Sequence, residues 1–167
     1  MIQYYTRFFA FALGLFFAQI LIFDHVNLFG FANPAVYVAV LLLYRLDMDQ
    51  FGFLLLAFFY GLLLDLITQT AGAHTIACLT TAFVRPKMAQ FSFGNNVDNP
   101  AALFTQTLTN NRLLYLGLML LIHQLLFAFM AYFSWQHAFR IVLYGVTNAL
   151  FSFLVIAPSI SLFRPKK

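Results

Sequence analysis

The chain consists of long apolar runs separated by short segments of polar and turn-forming residues. A membrane-spanning helix needs about 20 mostly apolar residues, and several runs approach that length. Helix ends placed at polar residues, glycines and prolines predict six spans. These cover residues 7–23, 34–46, 51–67, 72–84, 113–133 and 139–163. The pattern therefore predicts an all-α, polytopic integral membrane protein, with six transmembrane helices in a single domain of residues 1–167.

The second and fourth runs are short, which leaves a four-span alternative open. Asn33 and Pro34 are typical of a helix start, and the fourth run ends before Arg85 and Pro86. In the alternative, both runs are re-entrant pieces. The sequence also predicts a loop over residues 85–112, either irregular or containing a short helix at the membrane surface.

Composition supports the membrane assignment. Hydrophobic residues make up 63% of the chain and charged residues only 8%, whereas a soluble domain has about 25% charged residues. So few charges cannot cover a water-facing surface, which excludes a soluble protein. No basic stripe exists, which argues against a nucleic-acid partner.

The positions of the cations predict the orientation. With a cytoplasmic N-terminus, the six-span model places eight of the nine Lys and Arg residues inside and only Arg140 outside. The inside cations are Arg7, Arg45, Arg85, Lys87, Arg112, Arg164, Lys166 and Lys167. An excess of Lys and Arg on the cytoplasmic side is the usual rule. Both termini are therefore predicted to be cytoplasmic.

The sequence contains no recognisable catalytic or metal-binding pattern. The four histidines form no i, i+4 pair with another ligand, and Cys78 is the single cysteine. We therefore expect a protein that is not an enzyme and that needs no cofactor or metal. Polar residues inside apolar spans are the remaining candidates: Gln19, His123, Gln124 and Asn148. Hydrogen bonding between helices is favoured for them over a small-molecule pocket, which stays the alternative.

Small residues repeat every four positions on three predicted spans. Ala10, Gly14 and Ala18 do so on the first, Ala57 and Gly61 on the third, in register with Asp65, and Gly145 and Ala149 on the sixth. Such rows allow another helix to approach closely. The partner helix belongs either to this chain, which is the default, or to another protein.

Asp65 lies near the outer end of the third span, inside the run YGLLLDLIT. Three roles are open for a carboxylate there. It reaches interfacial water, it caps the backbone N–H groups at the start of the fourth span, or it contacts a partner or the outer cation Arg140. We favour the ordering of the turn between the third and fourth spans, with Gly72 in that turn.

The segment YGLLLDLITQTAGAHTIACLTTAFV resembles the signature region of the rod shape-determining protein MreD family. The matching positions are Gly61, Asp65, Leu66 and Gly72. Chain length, the six-span pattern and cytoplasmic termini also match, whereas the loop 85–112 is longer than in the family pattern. The resemblance implies a non-enzymatic scaffold of the bacterial cell-elongation complex, located in the inner membrane.

The resemblance also implies partners. These are an MreC-like single-span protein and, directly or indirectly, MreB, RodA and a class B penicillin-binding transpeptidase. A second copy of this chain is a further candidate. The family is similar at fold level to the substrate-binding subunits of energy-coupling-factor transporters, whose first helix docks through a small-residue face. A vitamin-binding subunit is therefore the alternative function, and a general membrane assembly factor is a weaker third.

Overall fold

A computed structural model of the chain describes residues 2–26, 33–44, 49–94 and 110–162. Within these ranges the chain folds into six α-helices. They are α1 (Ile2–Leu21), α2 (Val38–Leu43), α3 (Gln50–Thr68), α4 (Ala73–Phe93), α5 (Asn110–Tyr132) and α6 (Ala138–Leu162). Short 3-10 turns follow α1 and α5, at Phe23–His25 and Trp135–His137. The helices α3 to α6 pack in sequence, each against the next.

Among the described residues, four segments are long and apolar enough to cross a membrane. They are Thr6–His25, Gln50–Thr68, Asn110–Tyr132 and Trp135–Ile160. Helix α3 covers the predicted span 51–67. Helices α1, α5 and α6 overlap the predicted spans 7–23, 113–133 and 139–163. The chain is therefore an all-α membrane protein, as the sequence predicts.

Residues 33–44 differ from the predicted second span. Only Val38–Leu43 is helical, and the residues on both sides are not. The segment runs antiparallel to α1, because Val36 N–H bonds to Gln19 near one end and Tyr44 stacks edge-on against Phe8 near the other. Residues 34–44 are buried, at the centre of the bundle. Non-helical backbone is tolerated at membrane depth only where protein surrounds it in this way.

Helix α4 is longer than the predicted fourth span, and the predicted end at Val84 is wrong. The helix continues through Pro86 to Phe93. Proline removes the hydrogen bond to the carbonyl four residues earlier, which here is Ala82. Gln50 Nε2 donates to that carbonyl at 3.3 Å, so its lost bond is replaced. Residues 85–93 are therefore helical, not part of a loop.

The predicted loop 85–112 also extends too far at its other end. Its last residues, from Asn110 onward, belong to α5. The surface helix predicted after Asn99 and Pro100 lies outside the described residues. Arg85 and Arg112 are both buried within helices. Without these two residues, six cations remain on the predicted cytoplasmic side, against Arg140 alone on the predicted outer side.

The small-residue row on α3 packs inside the chain. Ala57 is fully buried, and a Cβ added to Gly61 would lie 2.6 Å from the Cα of Thr75. Helices α3 and α4 thus touch backbone to backbone at Gly61. The start of α3 is also accounted for, because Asp49 accepts hydrogen bonds from Phe51 N and Gly52 N as an N-cap.

Candidate functional site

Asp65 caps the first turn of α4 from a neighbouring helix. Its Oδ1 accepts from His74 N at 2.9 Å, and its Oδ2 accepts from Thr75 N at 2.8 Å. The hydroxyls of Thr70 and Thr75 donate to the same carboxylate at 2.5 and 2.6 Å. The side chain is only 6% exposed. Of the three roles considered for Asp65, the geometry matches the cap, with each oxygen accepting two hydrogen bonds.

The turn that Asp65 closes has an unusual backbone. Gln69, Ala71 and Gly72 all have positive φ, at 56°, 52° and 95°. Gly72 is the N-cap residue of α4 and has no side chain with which to cap. The carboxylate of Asp65 therefore supplies the acceptor that an N-cap Ser, Thr or Asp would normally provide. Gly61 one turn earlier lets α3 come close enough for this contact.

A cavity of about 420 Å³ opens beside this turn. Its walls come from α1, the segment 33–44, the α3–α4 turn, α5 and α6. The polar side chains that line it are Gln19, Asp24, His25, Asn33, Tyr37, Thr68, Thr70, His74, Gln124, Tyr144 and Asn148. Three of the four intramembrane polar residues singled out in the sequence thus meet in one place.

Gln19 and Asn148 hold the start of the buried segment 33–44. Gln19 Oε1 accepts from Val36 N at 2.9 Å, and Asn148 Oδ1 accepts from Asn33 N at 2.7 Å. Ser152 Oγ accepts from Ala35 N at 2.8 Å. These bonds satisfy backbone N–H groups that precede the helix α2, which is the function of an N-cap.

His123 does not line the cavity but is joined to two of its lining residues, Tyr37 and His74, by a buried hydrogen-bond chain. Tyr37 Oη is 2.8 Å from His74 Nδ1 and 2.7 Å from His123 Nε2. His123 Nδ1 is 3.0 Å from Thr81 Oγ1. The Tyr37 hydroxyl has one proton, so it donates to one imidazole and accepts an N–H from the other. These hydrogen bonds join the segment 33–44 to α4 and α5.

Arg85 closes the opposite end of the segment 33–44. Its guanidinium donates to the carbonyls of Leu42 and Tyr44 and, at 3.1 Å, to Tyr115 Oη. It also lies 4.9 Å from the centre of the Phe53 ring. A cation at the carbonyl end of a helix is favourable. The side chain is 1% exposed, which the prediction of a loop residue did not anticipate.

The first helix presents its small-residue row outward. Ala10 and Gly14 are exposed and Ala18 is half-buried. A Cβ added to Gly14 would meet no atom within 4 Å among the described residues outside α1 itself. α1 buries only Ala12, Phe16 and Gln19 among its described side chains. Within the described part of the chain, Ala10 and Gly14 therefore have no helix packed on them.

Arg140 lies away from Asp65. It is exposed and lines a second groove of about 410 Å³ with Tyr132, His137 and Tyr144. Within the described residues, the hydrogen bonds of Asp65 all go to positions 70–75. The structure thus does not bring Asp65 and Arg140 together.

Sequence reasoning missed three residues of this arrangement: Tyr37, His74 and Arg85. Each carries a polar group into a buried position, which is a usable signal when the residue sits in an apolar run. Tyr37 fits the apolar pattern of the second run, so the pattern does not reveal the role of its hydroxyl group. His74 and Arg85 stand near predicted span ends, where polar residues are expected, so the sequence pattern does not mark them as buried.

Across the described residues, no group of three or more His, Cys, Asp or Glu side chains comes together as a metal site. Comparison with known proteins gives no match to a family model, a curated protein or a solved structure.

Proposed function

We propose that this chain is a non-enzymatic scaffold of the bacterial cell-elongation machinery, in the inner membrane, and that it binds an MreC-like single-span protein. The observation that carries the proposal is the construction of the turn between α3 and α4. Gly61, Asp65 and Gly72, three positions of the MreD-like motif, act together in it. By ordering this turn, the motif residues form a rigid outer surface to which a periplasmic partner binds.

The free face of α1 supports the same proposal. Ala57 and Gly61 pack inside the bundle, whereas Ala10 and Gly14 are exposed within the described residues. In lipid, close packing is a main source of attraction between helices, and small residues permit it. We propose that the single transmembrane helix of the MreC-like partner packs on this face of α1. RodA, a class B penicillin-binding transpeptidase and MreB then bind this chain directly, or indirectly through its MreC-like partner.

Replacing Gly14 tests this contact. Gly14→Leu should reduce co-purification of the MreC-like partner at least tenfold, because the added side chain blocks close approach. Gly14→Ala should reduce it less. The chain itself should still insert and fold, since within the described residues a Cβ added at Gly14 meets no atom outside its own helix within 4 Å. Gly61→Leu provides the contrast, because it should lower the amount of folded chain. Undiminished partner capture by Gly14→Leu would assign the face to lipid.

We further propose a multi-pass arrangement in which the segment 33–44 and α4 both cross, with both termini cytoplasmic. Cysteine labelling tests the orientation, and Cys78 is buried and gives little background. In cells with an intact inner membrane, an impermeant maleimide should label Gln136→Cys. It should label Asn96→Cys only after the membrane is opened. Labelling of Asn96→Cys in intact cells would overturn this orientation.

The polar cavity favours a second candidate, a substrate-binding subunit of an energy-coupling-factor transporter. Such subunits also dock through small residues on the first helix, so α1 does not separate the two. The neighbouring genes do. An adjacent gene for an MreC-like protein supports the scaffold, and an adjacent coupling-factor gene supports the transporter subunit.

A further inference from the structure

The groove at the start of α6 contains a cation without a partner. Its lining includes Arg140 but, among the described residues, no Asp, Glu or Lys. The Arg140 guanidinium is exposed, and no group in the described ranges forms a hydrogen bond or ion pair with it. Asp24 lines the neighbouring cavity and not this groove. The positive charge of Arg140 is therefore available to an anion.

Exposed aromatic side chains place Arg140 at the membrane–water interface. The groove lies where two segments that are long and apolar enough to cross a membrane meet, at the end of α5 and the start of α6. Tyr132, Trp135 and Phe139 are exposed in or beside this connection. Because Tyr and Trp favour the headgroup level of a bilayer, Arg140 lies at the level of the lipid phosphates.

Helix α6 also exposes an apolar stripe that begins at the groove. Leu143, Leu150 and Leu154 are exposed, and their helical spacing places them on the same side of α6 as Arg140. At 1.5 Å per residue, Leu154 lies about 21 Å along the axis from Arg140. The hydrocarbon core of one leaflet is about 15 Å thick, so the stripe is long enough to line an acyl chain over its full depth.

We propose that this groove binds an anionic phospholipid of the phosphatidylglycerol class. The phosphate oxygens accept hydrogen bonds from Arg140, and one acyl chain follows the stripe from Leu143 to Leu154. A phosphatidylcholine has the same phosphate, but its quaternary ammonium group is repelled by Arg140, which gives the selectivity. The inference requires neither the scaffold function nor a particular orientation, because both leaflets contain phospholipid.

Trp135 provides a local test because it is the single tryptophan of the chain and lies two residues before His137, which lines the groove. The full chain is placed in phosphatidylcholine vesicles that contain increasing fractions of a lipid brominated close to its glycerol backbone. Quenching of Trp135 fluorescence should show that brominated phosphatidylglycerol binds about fivefold more tightly than brominated phosphatidylcholine. Soluble glycerophosphoglycerol, the headgroup without acyl chains, should not reduce the quenching. Equal affinities of the two lipids, or displacement by the soluble headgroup, would overturn the proposal.

A substitution and a change of salt locate the contact. Arg140→Gln should bring the two affinities together, while Lys87→Gln, which removes an exposed cation outside the groove, should leave the fivefold preference intact. In the unmodified chain, raising the NaCl concentration should reduce the preference, because salt screens exposed charges. This second readout does not depend on the folding of a variant. A preference that persists in folded Arg140→Gln, or that salt does not change, would contradict the assignment to Arg140. Capture of an MreC-like partner is scored separately, so failure here leaves the scaffold proposal testable.

Discussion

Asp65→Leu should abolish the activity of the chain in a cell-shape complementation assay, and Asp65→Asn should retain part of it. Leucine leaves the N–H groups of His74 and Thr75 without the acceptor that each has in the native turn. Each buried donor left unpaired costs about 1–3 kcal/mol. Asparagine keeps one acceptor oxygen, which still caps one N–H group, while its amide nitrogen cannot accept the other.

The matched control is Asp49, which also caps a helix but is exposed. Asp49→Leu should cost less, because water replaces the lost acceptor there. Activity must be compared at equal amounts of membrane-inserted protein. Full activity of Asp65→Leu at normal levels would show that the ordered α3–α4 turn is not needed for function.

Arg85→Met should lower the free energy of unfolding by about 2 kcal/mol or more. The substitution removes the donors to the carbonyls of Leu42 and Tyr44, which lie in the centre of the bundle. Each buried acceptor left unpaired costs about 1–3 kcal/mol. Arg85→Lys should be intermediate, because an ammonium group keeps donors but lacks the planar fork of the guanidinium.

Thermal unfolding in detergent, followed by far-UV circular dichroism, measures this effect. Lys87→Met is the control, since Lys87 is an exposed cation on the same helix. Its effect should stay within about 0.5 kcal/mol. Equal stability of the Arg85→Met and Lys87→Met variants would show that Arg85 does not hold the segment 33–44.

The long helices could be predicted because their apolar runs approach the length that a membrane crossing requires. Their ends carry local signals as well, such as the Asp49 cap before α3. The end of α4 could not be predicted in this way. Pro86 is locally a helix-breaking signal, and the compensating donor, Gln50, is distant in sequence.

The segment 33–44 shows the same limit more clearly. Its apolar pattern is that of a helix, yet its ends are held in other conformations by Gln19, Asn148, Ser152 and Arg85. These partners come from three different helices. Polar residues in apolar runs could be recognised as important from the sequence. Which backbone groups they bind, and that several of them line one cavity, depends on tertiary packing.

Site-specific photo-crosslinking from α1 tests the central claim most directly. Phe17, 55% exposed and near the Gly14 row, is replaced by the photoreactive analogue p-benzoylphenylalanine, as is Phe83 on α4, which is 62% exposed. The account predicts that irradiation of living cells joins position 17, and not position 83, to an MreC-like single-span protein identified by mass spectrometry. Crosslinks from position 17 to lipid alone, with that protein present in the same membrane, would contradict it.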